Sequence, residues 1–168
     1  CAAVTTEFEN APADALDGQR LTLRRKSSIG ETLDGLPGVS ATGFGPFASR
    51  PVIRGLDGDR IRVLQNGTGT LDASSLSFDH AVPYDPLVAE RMEVVRGAAA
   101  VLYGGSAVGG VVNVIDNRIP AEPLSGVTGR AEARLGGADR ERSLGALIEA
   151  GNGSFAIHAD AFDRSSKD

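Results

Sequence analysis

Asp79-His80 sets a carboxylate beside an imidazole in a chain with only two histidines and one cysteine. Imidazole nitrogen and carboxylate oxygen are ordinary ligands for zinc, which usually takes four in a tetrahedral array. Adjacent residues both reach one ion only if the backbone bends, which a loop permits and a strand does not. Asp72, Asp85 and Glu90 lie near enough along the chain to add oxygens, and His158 is the other histidine. Taken alone, most such pairs are a turn-capping aspartate followed by a solvated loop histidine. The residue types leave both readings open.

Other chemistries are easier to exclude. There is no Gly-X-Ser-X-Gly elbow, no Walker loop and no Cys-His pairing in a plausible core, so no enzyme is expected. Gly104-Gly-Ser-Ala-Val-Gly-Gly110 lacks the lysine and following helix of a phosphate loop. Asp57-Gly-Asp59 reads as a turn, since a calcium loop needs a longer ligand series. Cys1 admits no internal disulfide; it is either an acylated terminus or a boundary of the sequence. A net charge of −5 argues against nucleic acid as a partner. Arg24-Arg25-Lys26 reads as a solvated turn or helix approach. No apolar run approaches the roughly 20 residues of a membrane helix, so any membrane role falls to β strands.

The elements that must position these residues follow from pattern. Residues 1–20 read as an extended, mobile leader and Leu21-Thr-Leu23 as a short strand. Ser28-Ile-Gly-Glu31 is a capping box. It opens a helix expected to run through Leu36 and stop near Pro37-Gly38, with Ile29, Leu33 and Leu36 on its core face. Strands are expected at Val52–Arg54, Arg60–Gln65, Arg91–Arg96 and Val111–Asp116, with a helical turn at Ala98–Leu102. Local helices beside a small mixed four-stranded sheet make an α+β domain over residues 21–122. Asp79 and His80 fall in a polar loop at 66–85, a length that is usually functional. From residue 123 the pattern becomes clean alternation. Gly129, Ala131, Ala133 and Leu135 oppose Thr128, Arg130, Glu132 and Arg134, and two further segments around Ile148 and Ile157 repeat it. Turns come from Gly136-Gly137 and Gly151-Asn152-Gly153. Three antiparallel strands with one apolar face suit either the opening of a transmembrane barrel or a meander on a soluble core.

Five ordered blocks decide between these. Leu36-Pro-Gly-Val39, Ile53-Arg-Gly55, Glu90–Gly97, Leu102-Tyr-Gly104 and Gly109–Ile115 resemble the plug domain of TonB-dependent outer-membrane receptors over about residues 28–120. Ala98 stands where that family usually has proline. The resemblance implies a plug followed by the first barrel strands at 123–168. It also implies an outer-membrane location in a Gram-negative bacterium, contact with membrane lipid through the barrel, and TonB as periplasmic partner, reached through the leader. Ala2-Ala-Val-Thr-Thr6 is a weak candidate for the TonB box. A full barrel of the family has about 22 strands, so three imply a fragment or pairing with other chains. Arg54, Glu93 and Arg96 match family positions that lock plug to barrel wall.

A finer resemblance lies in the loop. Ser77-Phe-Asp-His-Ala81, with Val63-Leu-Gln-Asn-Gly67 upstream, resembles outer-membrane zinc receptors of the ZnuD kind. It implies Zn2+ as the transported ligand, with Asp79 and His80 as ligands completed by barrel residues. Two protein ligands make a weak, exchangeable site, which suits transport. Asp72, Asp85, Glu90 and His158, the last sharing a polar strand face with Asp160, are the additional candidates. Rival readings are a siderophore or haem receptor, which favours aromatic or arginine-rich loops, and a soluble or lipid-anchored plug-like binding module.

Overall fold

A computed structural model describes residues 13–45, 47–70, 73–77, 79–120, 123–136 and 140–166. The chain divides after Asp116 into two compact units.

The first unit opens with β1 (Ala13–Asp17), α1 (Gly18–Arg24) and α2 (Ile29–Leu33). Then come β2 (Val39–Ala41), β3 (Pro51–Ile53), β4 (Ile61–Gln65), β5 (Thr68–Gly69), β6 (Ala89–Val95) and β7 (Gly110–Asp116). Its main sheet has five strands in the order β1-β6-β7-β4-β5. β4 and β7 run parallel, and the other pairs are antiparallel. Central β7, Gly-Val-Val-Asn-Val-Ile-Asp, is apolar on both sides, as a strand covered on both faces must be. Alternate residues supply two packing layers. Val94, Val112 and Val114 pack with Leu16, Leu21, Ile29 and Leu33. Val95 and Val111 pack with Ala100 and Ala107 from the 3-10 turns that follow β6. The expected α+β domain with a small mixed sheet and short helices is therefore present.

Its details differ from expectation in three places. Residues 13–20, read as leader, form β1 and the start of α1, with β1 paired along β6 from Ala13↔Val95 to Asp17↔Arg91. Residues 1–12, including the candidate TonB box, lie outside the described residues. Leu21-Thr-Leu23 is helical, not a strand. A strand would turn both leucines to one face, whereas Leu21 is 1% exposed and Leu23 is 78% exposed. Finally, β3 leaves the main sheet and pairs with β2. Arg54 and Gly55, at φ +52° and +77°, fold the chain back so that Ile53 bridges Leu56. The main sheet is thus five-stranded rather than four-stranded, with β1 and β5 at its edges.

The capping box forms as read. Glu31 N donates to Ser28 Oγ at 3.2 Å, and the Ser27 and Ser28 hydroxyls each donate to Glu31 Oε2 at 2.8 Å. The helix closes at Leu33, short of Leu36, although Leu36 remains buried. α2 lies directly on the backbone of residue 50, where a Cβ on Gly30 would stand 2.7 Å from the Arg50 carbonyl carbon.

The second unit is an antiparallel meander of β8 (Ser125–Leu135), β9 (Arg142–Asn152) and β10 (Ala156–Ser165). Ala131, Ala146 and Ala161 stand opposite one another across it. Leu144, Ile148 and Ile157 are 61%, 53% and 71% exposed on the apolar side. Strands of 11, 11 and 10 residues match the length that crosses a bilayer at a tilt. Among the described residues no helix is long and apolar enough to cross a membrane.

Candidate functional site

The 66–85 loop leaves β4 through a two-residue turn, Asn66-Gly67, at φ +49° and +77°. Asn followed by Gly is the pair best suited to two consecutive positive φ values. The turn hands the chain to β5, and a 3-10 turn at Ala73–Ser75 follows. Buried Ser74 accepts a hydrogen bond from Arg50 Nη1. The loop returns to the core at Val82 and Tyr84, both buried.

Between these anchors Asp79 and His80 face solvent, with 52% and 54% of their side chains exposed. Asp79 Oδ1 lies 2.8 Å from His80 Nδ1 and also accepts from the Ser77 hydroxyl. The backbone bends back on itself here, His80 N donating to Ser77 O at 3.4 Å. The hydrogen bond from Ser77, followed by that from His80, holds the Asp79 carboxyl below its usual range. An ionised carboxylate only accepts, so Nδ1 carries the hydrogen. Nε2, across the ring, is then the acceptor nitrogen, the one with a lone pair to offer. A carboxylate that orients an imidazole in this way is the common outer partner of a metal-binding histidine. Asp79 thereby orients the His80 ring.

Among the described residues of the first unit, the additional candidates do not form a metal-holding group with this pair. Asp72 lies outside the described residues. Asp85 is buried and caps the 3-10 turn Pro86–Val88, its Oδ1 accepting from Leu87 N at 2.7 Å. Glu90 is exposed on β6. Among the described residues no group of three or more His, Cys, Asp or Glu side chains could hold one ion.

His158 belongs to the second unit, where its ring is enclosed by carboxylates. Nδ1 lies 2.9 Å from Glu149 Oε1, and Nε2 lies 3.2 Å from Asp160 Oδ1. Arg118 binds both oxygens of Asp160, at 2.9 and 3.1 Å, and Asn117 Nδ2 donates to Glu149 Oε1 at 2.8 Å. With both ring nitrogens engaged, His158 is a cross-strand tie opposite Glu149. Alternation revealed the shared face with Asp160. The part played by Arg118 depends on chain tracing that alternation does not report.

The three residues matched to plug–barrel locking have partners within the first unit or stand open. Glu93 is buried and pairs with Arg91 Nε at 2.8 Å. Arg96 binds Asp14 of β1 and the Pro37 carbonyl. Arg54 is exposed at the tip of its turn.

Sequence reading passed over Asp116. Its carboxylate accepts from Gln65 Nε2 at 2.8 Å, Asn66 Nδ2 at 2.8 Å and Tyr84 Oη at 3.1 Å. The Asn66-Gly67 dipeptide was the available cue for a tight turn beside it. The long-range closure by Tyr84 left no local signal.

Comparison with known proteins fits this architecture. The TonB-dependent Receptor Plug Domain family model matches residues 7–111. The chain is 32% identical over 162 residues to the vitamin B12 transporter BtuB of Photobacterium profundum, a match that covers 91% of this chain and 25% of that protein. The siderophore receptor PirA from Acinetobacter baumannii superposes with a TM-score of 0.77 at 18% identity, over 95% of this chain and 25% of the receptor. The copper transporter OprC does so with a TM-score of 0.70 at 23% identity, over 93% of this chain and 23% of the transporter. At these identities the two superpositions show the fold alone. It includes antiparallel strands β8–β10 at the start of a receptor barrel. The chain spans about a quarter of the length of the B12 transporter. These relatives have B12, siderophore and copper in their names, so they support a receptor plug without singling out the zinc subfamily. The family is a non-enzymatic one of the Gram-negative outer membrane, and this chain belongs to it as a TonB-dependent receptor plug domain with the strands that follow.

Proposed function

We propose that the chain is the plug and opening barrel wall of a transporter that takes up a metal ion across the outer membrane, with zinc as cargo. The observation that carries this reading is the exposed Asp79–His80 pair, held at 2.8 Å on a loop whose two ends are anchored. His80 Nε2 supplies the nitrogen ligand. Asp79 orients the ring and adds charge, and residues of the barrel complete the coordination. A site with so few plug ligands binds weakly and releases readily. Occupancy then alters the plug, and TonB, contacting residues N-terminal to β1 in the periplasm, supplies the work that opens a path. Arg54, Glu93 and Arg96 set the plug against the barrel wall. Of the limits expected from sequence (1–20 for the TonB-contact region, 21–122 for the plug and 123–168 for the first barrel strands), the first moves in this proposal, because 13–20 join the plug as β1 and the start of α1 and leave the residues before β1 for TonB.

A second reading, an organic metal chelate as cargo, is favoured by relatives whose names include vitamin B12 and a siderophore. Zinc titration against a chromophoric chelator separates the two. The chain should compete for zinc, His80→Ala should abolish competition, and Asp79→Asn should weaken it by about tenfold, as loss of an outer partner does. Equal binding by the chain and by His80→Ala would remove zinc from this loop and leave the chelate reading.

A further inference from the structure

We propose that Asp116 is the positioning residue of the 66–85 loop: one buried carboxylate clasps both ends of the loop to the last residue of β7. Oδ1 accepts from Asn66 Nδ2 at 2.8 Å, and Asn66 Oδ1 in turn accepts from the Asp116 backbone N–H at 3.0 Å. Oδ2 accepts from Gln65 Nε2 at 2.8 Å and from Tyr84 Oη at 3.1 Å. Asp116 is 6% exposed and Tyr84 7%. The donors therefore come from the residue before the loop, from its first residue and from its penultimate one.

Geometry and chemistry agree on why a carboxylate stands here. The positive φ of Asn66 is set by its turn, and that turn aims the amide at Asp116. Asn66 N donates to Val114 O, and Gly67 N donates to Asn113 Oδ1, each at 2.9 Å, so the turn is also tied to the neighbouring residues of β7. A carboxylate offers only acceptors, and charge-assisted bonds are roughly twice as strong as neutral ones. An asparagine at this position would present a single acceptor oxygen and turn an NH2 group towards residues that are already donors. Asp116 lies buried on a strand while Asp79 and His80 stand in solvent, so it acts through the loop and not on the cargo.

That this loop is the one meeting cargo rests on the function proposed above; the clasp itself does not. The test is hydrogen exchange of the 168-residue chain, unsubstituted and as Asp116→Asn, Tyr84→Phe and Asn66→Gly, with zinc titrated in parallel. Asn66→Gly preserves a residue suited to positive φ and removes only the amide, which keeps the test valid if Asp116→Asn folds poorly. Peptides within 67–83 should exchange about ten-fold or more faster in Asp116→Asn and a few-fold faster in the other two. Peptides from β6 and β7 should be unchanged. Loop exchange at the unsubstituted rate in Asp116→Asn and Asn66→Gly would overturn the proposal. So would a rise in loop and core exchange together, the mark of a merely structural role. Loop-selective exchange in a chain that binds no zinc would retire the zinc reading and still establish the clasp.

Discussion

Ser77, Asp79 and His80 form a local unit whose behaviour with pH follows from its hydrogen bonds. The Ser77 hydroxyl is the main cause of the lowered Asp79 pKa, and His80 adds to it. A carboxylate with a depressed folded pKa contributes order that is complete above its ordinary value of 3.8 and is lost as pH falls through the lower folded value. The pair should therefore stay intact from neutral pH to below that ordinary value. Ser77→Ala should raise the Asp79 pKa towards it. A carboxyl-resolved NMR titration checks this, and an unchanged Asp79 pKa in Ser77→Ala would assign the shift elsewhere. Much at this scale could be read in the residues: a polar loop and an Asp-His pair within it. What could not be read was cooperation across distance. Arg54-Gly55 adopts the same signs of φ as Asn66-Gly67. Asparagine tolerates that region and arginine does so at a cost, so sequence suggests one turn and hides the other. Asp116 gave no sign of binding Tyr84, because that bond exists only once β7 lies beside β4.

Elements were legible where their signals were local. The Ser28 box marked the start of α2 because its partners lie within one turn of each other. Ser28 is buried, with its hydroxyl engaged as both donor and acceptor. Ser28→Ala should thus cost about 1 kcal/mol, the typical loss of an N-cap, seen as a lower urea midpoint at constant slope. No change in midpoint would mean that Ser27, which also donates to Glu31, is sufficient to hold the carboxylate. Short segments without such signals were misread. Leu21-Thr-Leu23 fits a strand period as well as a helix start, and only the burial of Leu21 against the sheet resolves it. β1, Ala-Asp-Ala-Leu-Asp, has weak strand propensity and exists because β6 offers it a pairing edge. Tertiary pairing, absent from any local window, made that strand.

At the scale of the whole molecule the two units place their apolar side chains differently. The first encloses its own core, with Leu16, Leu33, Met92 and Val94 all at 0% exposure. The second turns Val127, Leu144, Ile148 and Ile157 outward and has one sheet with no second layer of its own. Its alternation was plain in the sequence, because the period of two reports a face without reference to any partner. What covers that face was not; lipid is the cover that goes with the proposed barrel wall. Three strands with an uncovered apolar face hold their hydrogen bonds poorly in water. Amides of β8–β10 should therefore exchange much faster in buffer than those of β6 and β7. Adding detergent micelles should slow β8–β10 and leave β6 and β7 unchanged, since micelles cover only the apolar face of the second unit. Ile148→Asp, in the middle strand, should reduce that protection, as a charge on a lipid-facing position does. Equal protection of both units in plain buffer would mean that protein rather than lipid covers the face. The meander would then be read as part of a plug-like module with its own core, and the barrel assignment would fail for this chain while the plug assignment stood.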